Sequence, residues 1–229
     1  MIKFNQAAIT GRTAVFLATG LSLSLGLAHP VHAQDGQDFE RWAVTLNATQ
    51  VFVKEDAPRI DVAGGPIPGA NVRIGNATTI TGDVGYFFTP NVAANLFVGV
   101  PAQAKIEGVG AIEPLGTLAK TKYGPLILSA QYHFNSRGSV RPYLGVGIGR
   151  VLFLGKQDGA LTGFEIADSW APAAQVGVRA ALSETWMLNA DVRYVPFSAD
   201  VTANLGAAPV DARLDIQPVL TSVGLTYRF

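Results

Sequence analysis

Beyond residue 33 the chain has one histidine, His133, and nowhere does it have a cysteine. Ser129 and Gln131 stand four and two residues before it. A serine, an imidazole and a carboxylate can hydrolyse esters when each hands its proton to the next. The acidic residues are scattered along the chain, however, and none is spaced to complete that set. The same scatter, with one histidine and no thiol, excludes a metal centre built on clustered ligands. No cofactor is expected. The remaining ionisable residues stand out by their setting: Asp83, His133, Arg179, Asp191, Arg193 and Arg228 each lie at alternate positions of otherwise apolar or small-residue segments. Charges of both signs gathered on one enclosed surface must pair, because an unpaired buried charge is costly. What these six are expected to do is therefore either to close a lumen as a polar plug or only to keep a polar interior stable.

The elements that position them are strands. Eight segments alternate with period 2: 39–54, 78–88, 92–105, 121–134, 141–154, 168–181, 186–200 and 211–229. In the last of them Val219, Thr221, Val223, Leu225, Tyr227 and Phe229 share one face, with Leu220, Ser222, Gly224, Thr226 and Arg228 on the other. In the fourth, Leu126, Leu128, Ala130, Tyr132 and Phe134 oppose Ile127, Ser129, Gln131 and His133. Arg150 interrupts the apolar face of the fifth, which marks a bulge or a membrane edge. The glycines at 145, 147 and 149 alternate within that strand and read as packing glycines of a narrow barrel rather than a phosphate loop.

The first 33 residues have the form of a secretory leader. Lys3 and Arg12 precede an uncharged apolar run, and Val31-His32-Ala33 is a small-x-small cleavage site, which predicts a mature chain of residues 34–229. Without the leader the charge is 15 basic against 17 acidic residues, a balance that gives no support to nucleic-acid binding.

The connections alternate in length. Short ones fall near residues 90, 137 and 184, and long ones at 55–77, 106–120, 155–167 and 201–210. Tyr86, Phe88, Tyr132, Phe134, Trp186, Tyr227 and Phe229 flank the short turns or the C-terminus on the apolar face. Together these features predict an all-β, eight-stranded antiparallel transmembrane β-barrel with short periplasmic turns and long extracellular loops, an aromatic girdle and both termini in the periplasm. Tyr227 and Phe229 resemble the aromatic end of an outer-membrane closing strand, which implies recognition by the barrel-assembly machinery.

Several stretches resemble the small OmpW family of outer-membrane barrels. They are Thr81-Gly82-Asp83-Val84-Gly85-Tyr86-Phe87 with Asn91, Tyr123-Gly124-Pro125 running to Gln131-Tyr132-His133-Phe134, Arg141-Pro142-Tyr143-Leu144-Gly145-Val146-Gly147, Asp168-Ser169-Trp170 with Gln175-Val176-Gly177, and Asp215 with Pro218 and Tyr227-Arg228-Phe229. That family includes alkane-uptake porins, and the resemblance implies passage of small hydrophobic molecules with a lateral exit through the barrel wall. After Pro101 the family tends to carry an aromatic residue and a histidine, where this chain has Ala102 and Ala104, so its solute contacts differ there.

Eight strands leave an interior that side chains can fill, which argues against a general aqueous pore. Pro101, Pro125, Pro172, Pro196 and Pro218 all fall ten or eleven residues from the short-turn end. At roughly 3.3 Å per residue and ~40° tilt, that is the far membrane edge. Each removes a ladder donor. Pro101 and Pro125 lie on neighbouring strands three and four, where pairing is expected to fail early; this either only ends the membrane strands and limits edge pairing or, as the resemblance implies, opens a lateral gap. A solute would pass Leu115, Leu118 and Phe97, meet the plug, and leave through that gap. Expected partners are outer-membrane lipid and lipopolysaccharide, and small hydrophobic solutes. The alternatives are a structural or receptor barrel acting through its loops and, less favoured, a lipid-modifying enzyme that His133→Ala would disable.

Overall fold

The computed structural model describes residues 39–229, and the leader expected at 1–33 lies outside them. Thirteen strands follow in order: β1 (Trp42–Val62), β2 (Gly65–Pro66), β3 (Ala70–Ile74), β4 (Ala77–Phe87), β5 (Val92–Gly99), β6 (Ala102–Gly110), β7 (Thr117–His133), β8 (Val140–Asp158), β9 (Thr162–Ile166), β10 (Ser169–Ala181), β11 (Trp186–Tyr194), β12 (Phe197–Leu205) and β13 (Ala208–Arg228). One 3-10 turn, Glu113–Leu115, joins β6 to β7.

The ladder β1-β4-β5-β7-β8-β10-β11-β13 closes on itself through β1 and β13, so the eight-stranded antiparallel barrel stands as expected. Trp42 and Phe229 exchange backbone hydrogen bonds of 3.1 and 3.0 Å at the seam, placing both ends of the closing pair at the short-turn end. Aromatic rings ring this end on the outer face: Trp42 against Tyr86 and Tyr86 against Phe88, Tyr132 against Phe134, and Trp186 against Tyr227, with centroids 4.9–5.1 Å apart. Trp42 joins the girdle anticipated from the other seven.

The barrel runs further than the sequence segments implied. Most of the residues expected in the long connections are strand: β1 continues to Val62, β8 to Asp158, and β3, β6, β9 and β12 occupy much of the rest. Tight turns join them at the far end, with Ala63 (φ 52°) and Gly64 (φ 80°) between β1 and β2 and Gly206 (φ 62°) between β12 and β13. Gly and Pro in the 55–77 stretch, which read as loop, punctuate a short hairpin instead.

This extension is built differently from the barrel below it. Among the described residues β3 is laddered to β6 alone, and β9 to β12 alone. The far half therefore divides into two sheets, β3-β6-β7-β8 and β9-β12-β13-β1-β2, whose inward faces share one buried apolar cluster. Side chains bridge the two unladdered edges. At one, Asn76 Oδ1 accepts from Val53 N (3.1 Å) and Glu55 Oε1 from Ile74 N (3.0 Å). At the other, Asp168 Oδ1 accepts from Phe153 N (2.9 Å), and the Asp158 carboxylate accepts from Gly163 N and Phe164 N (3.0 Å each).

Arg150 sits in unbroken register between Leu126 and Trp170, so no bulge occurs there. It marks the edge of the apolar belt, lying over the Trp170 ring at 5.8 Å and reaching Asp168 at 3.5 Å. The register shift of this strand pair falls between Lys120 and Lys122 instead.

Candidate functional site: a polar plug beneath an apolar core

Near the short-turn end the inward positions are polar and fully enclosed. Asp83, Asp191 and Arg193 come from β4 and β11 and form one ion-pair cluster. Arg193 donates to Asp83 Oδ1 at 3.2 Å and to Asp191 Oδ2 at 3.3 Å, with all three side chains at most 4% exposed. Asn47 donates to the other Asp83 oxygen at 2.8 Å. Asn189 donates to Asn47 at 3.2 Å, and Tyr143 donates to Asn189 and to Asp191 at 3.1 and 3.2 Å. Arg179 reaches Asn189 Oδ1 at 3.4 Å and stacks over Tyr143 at 5.3 Å. Below this layer His133 lies between the Phe87 and Tyr143 rings, 4.9 and 4.8 Å away, and shares a 3.1 Å hydrogen bond with Gln131. Arg228 closes the bottom over Phe87 at 4.7 Å and donates to the Glu40 carbonyl at 2.9 Å.

Two glycines make this packing possible. A Cβ on Gly224 would lie 2.0 Å from the Leu46 carbonyl and 2.4 Å from Asn47 Oδ1, so only glycine lets Asn47 and Asn189 meet across β13. A Cβ on Gly177 would lie 2.4 Å from Tyr143 Cζ, where the phenol must pass to reach Asp191.

The six sequence-predicted plug residues thus lie in one lumen. Asp83, Asp191 and Arg193 pair directly, Arg179 and His133 are held by neutral partners and rings, and Arg228 adds an ion pair with Glu40 at 3.8 Å. Asn47, Asn189 and Tyr143 connect the network and were not singled out in sequence. Their inward parity was visible, but neutral side chains carry no signal of who faces whom across a closed barrel.

Phe97 forms the lid of the plug: it is fully buried, and the Arg193 guanidinium sits 3.8 Å from its ring centroid. Above it the lumen turns apolar. Ile127, Val151, Val195 and Leu220 continue into Val72, Ile106, Leu118, Phe164, Val201 and Leu214 as one buried cluster. Three small cavities stack within it. The uppermost, about 50 Å³, is lined by Leu115, Leu118, Ile112 and Phe164 among others. It shares Ile106 with a middle cavity of about 30 Å³. That one shares Tyr123, Phe197 and Pro218 with a lowest cavity, also about 30 Å³.

The lowest cavity reaches the proline level, where its wall includes Gly99, Val100, Ala102 and Pro125. The ladder between β5 and β7 stops at Val98-Leu126 and resumes as β6 and β7 at Ala102-Tyr123. Gly99, Val100 and Pro101 therefore stand unladdered against Gly124 and Pro125. On its other side this stretch is tied to β4 by Val100 N to the Ile80 carbonyl (2.9 Å) and by the Thr79 hydroxyl to the Val100 carbonyl (2.7 Å). Val100 is 60% exposed on the outer surface while it also borders the cavity, so the wall is one residue thick at this point.

The sequence that builds this barrel matches a known family. The family model for OmpW covers residues 41–229. The chain belongs to the OmpW family. It is 50% identical over 188 residues to outer membrane protein AlkL of Ectopseudomonas oleovorans, an alignment covering 82% of each chain. The solid-state NMR structure of AlkL in lipid bilayers superposes with a TM-score of 0.69 at 46% identity, over 90% of this chain and 97% of that one. OprG of Pseudomonas aeruginosa shares the fold, with a TM-score of 0.79 at 20% identity over 85% and 98% of the two chains. A dibenzothiophene metabolism operon protein of the same species, PahQ, is 27% identical over 203 residues, 89% of this chain and 93% of its own. The protein is accordingly an outer-membrane β-barrel.

Proposed function

We propose that this OmpW-family barrel conducts small hydrophobic molecules into the outer membrane and releases them sideways at the Pro101-Pro125 level. The observation that carries the reading is the continuous apolar core, stacked above a sealed polar plug and reaching the outer wall at Val100. A solute would enter at the far, extracellular end by Leu115 and Leu118. It would descend through the core to Phe97, where the ion-paired plug stops it. The wall at Gly99-Val100-Pro101 and Gly124-Pro125 lacks its ladder, so the solute can part the strands there without breaking backbone hydrogen bonds. Each buried CH₂ contributes about 0.8 kcal/mol, so short alkyl and aromatic compounds would bind weakly and leave readily. A relative named for an operon of dibenzothiophene metabolism fits an apolar, aromatic-tolerant cargo.

Both termini would then face the periplasm, and Tyr227 and Phe229, side by side at 5.8 Å at the end of the closing strand, would serve as the signal to the assembly machinery. His133 bonds Gln131 and stacks on rings in the plug, which gives the hydrolase alternative no supporting geometry.

The test is uptake into liposomes by purified protein, of a small apolar compound beside a small sugar. Apolar uptake without sugar uptake is expected, and Pro101→Ala, which restores a ladder donor, should slow it. Equal sugar uptake would mean that the plug is open. No uptake of either would favour a receptor or structural role.

A further inference from the structure

Just above the apolar belt, the outer face of β3-β6-β7 carries Arg73, Lys105, Lys120 and Lys122, with one acid, Glu107, among them. Lys105 and Lys120 are direct cross-strand partners, and Gln103 stands opposite Lys122. Like charges directly opposite on a sheet repel, and a bound anion would offset that repulsion. Glu107 offsets part: it lies 3.4 Å from Lys105 and is the cross-strand partner of Arg73. That leaves a net positive face. Immediately below, toward the membrane, Val98, Val100, Leu126 and Leu128 are 44–60% exposed. The surface thus passes from an apolar strip to a cluster of lysines over a few residues. The opposite sheet has the reverse sign, with Asp61, Asp200 and Asp211 lining an open cleft beside Arg213.

From this ordering we propose that Lys105, Lys120 and Lys122 hold a phosphate of an outer-leaflet lipopolysaccharide, whose acyl chains lie along Val98, Val100, Leu126 and Leu128. The assignment rests on the reading that the far end faces outward. It puts an ordered lipid beside the Pro101-Pro125 wall, so the solute would emerge next to a bound acyl chain. The acidic face of the other sheet excludes the same ligand from that side.

The probe is bisphosphorylated lipid A, titrated into the full barrel in detergent micelles, beside the dephosphorylated lipid and inorganic phosphate. Near an anionic surface, three lysines correspond to about a hundredfold in affinity. Lys105→Gln/Lys120→Gln/Lys122→Gln should lose that factor, and Lys120→Gln alone about fivefold. The heat-sensitive gel shift of a closed barrel verifies that each variant folds. Unchanged affinity in the folded triple variant overturns the proposal. Displacement of the lipid by millimolar inorganic phosphate would assign a free-anion site instead and also overturns it. Asp200→Asn/Asp211→Asn should leave lipid A affinity unchanged, and an equal gain there would reduce the effect to overall charge. In phosphatidylcholine liposomes without lipid A the triple variant should keep apolar uptake. Absence of uptake by the unaltered protein would defeat the channel reading while leaving the lipid affinity intact.

Discussion

Along β7, His133, Gln131 and Ser129 point inward and Tyr132, Ala130 and Leu128 outward, whereas a few residues on, Leu118 and Ala119 are buried and Lys120 and Lys122 face out. The same strand is polar inside and apolar outside in one half of the molecule, and apolar inside and polar outside in the other. The first half sits in lipid, where every backbone group must be bonded within the protein, and below the proline level its ladder closes completely. The second half stands in water. There the hydrophobic effect acts inward, as in any soluble sandwich, and water can satisfy strand edges, so two sheets joined by Asp158, Asp168, Asn76 and Glu55 suffice. Closure in the first half rests on hydrogen bonds and ion pairs; in the second it rests on burial. The proline level is where one regime gives way to the other, and it is also where the wall is thinnest.

The largest test of this contrast is Gly224→Val. The new Cβ would meet the Leu46 carbonyl at 2.0 Å, in the closing seam of the lipid half. The barrel should fail to close, read as loss of the heat-sensitive gel shift. Next is Arg193→Leu, which leaves Asp83 and Asp191 without their shared counter-charge. A buried pair broken on one side costs about 3–5 kcal/mol, measurable by denaturant unfolding in lipid. Asp83→Asn and Asp191→Asn in the same background should recover part of it. If the single variant costs nothing, the plug is not held by its ion pairs.

Leu118→Ala should cost about 2–4 kcal/mol, but only in the far half. Hydrogen exchange should rise in β3, β6 and β9 and stay low in the lower parts of β4 and β5. Exchange rising throughout would mean that the two halves unfold as one.

The smallest effect is a pH response at the edge between β8 and β9. Bonds from the Phe164 and Gly163 amides hold the Asp158 carboxyl below its usual range. Because the folded value is depressed, its contribution is present above the unfolded carboxylate range and is lost as pH falls through the folded value. Exchange at the Gly163 and Phe164 amides, corrected for its intrinsic pH dependence, should therefore rise on acidification, and Asp158→Asn should remove the response.

Much of the lipid half was legible in sequence because a single physical rule governs it. An outward lipid face and an inward lumen force period 2, and the parity of Asp83, His133, Arg179, Asp191, Arg193 and Arg228 placed all six inside. The far half was harder. Its strands also alternate, as in Ala104-Lys105-Ile106-Glu107, but Gly and Pro interrupt them and the apolar residues now mark the interior rather than the outside. A stretch such as 55–77 therefore reads as a loop, although Pro58 lies within β1 at a register shift and Ala63-Gly64 turns a hairpin into β2.

What the sequence by itself determined is the number of staves, their parity, the aromatic end and the proline level, because alternation and turn chemistry are local. What only the tertiary structure decided is who meets whom across the lumen: Arg193 with Asp83 and Asp191, Asn47 with Asn189 through Gly224, and Phe97 as the lid between polar and apolar core. The division of the far half into two sheets belongs to the same class. Contacts of this kind depend on the stagger between strands far apart in the chain, and on a circumference that exists only after β1 has found β13.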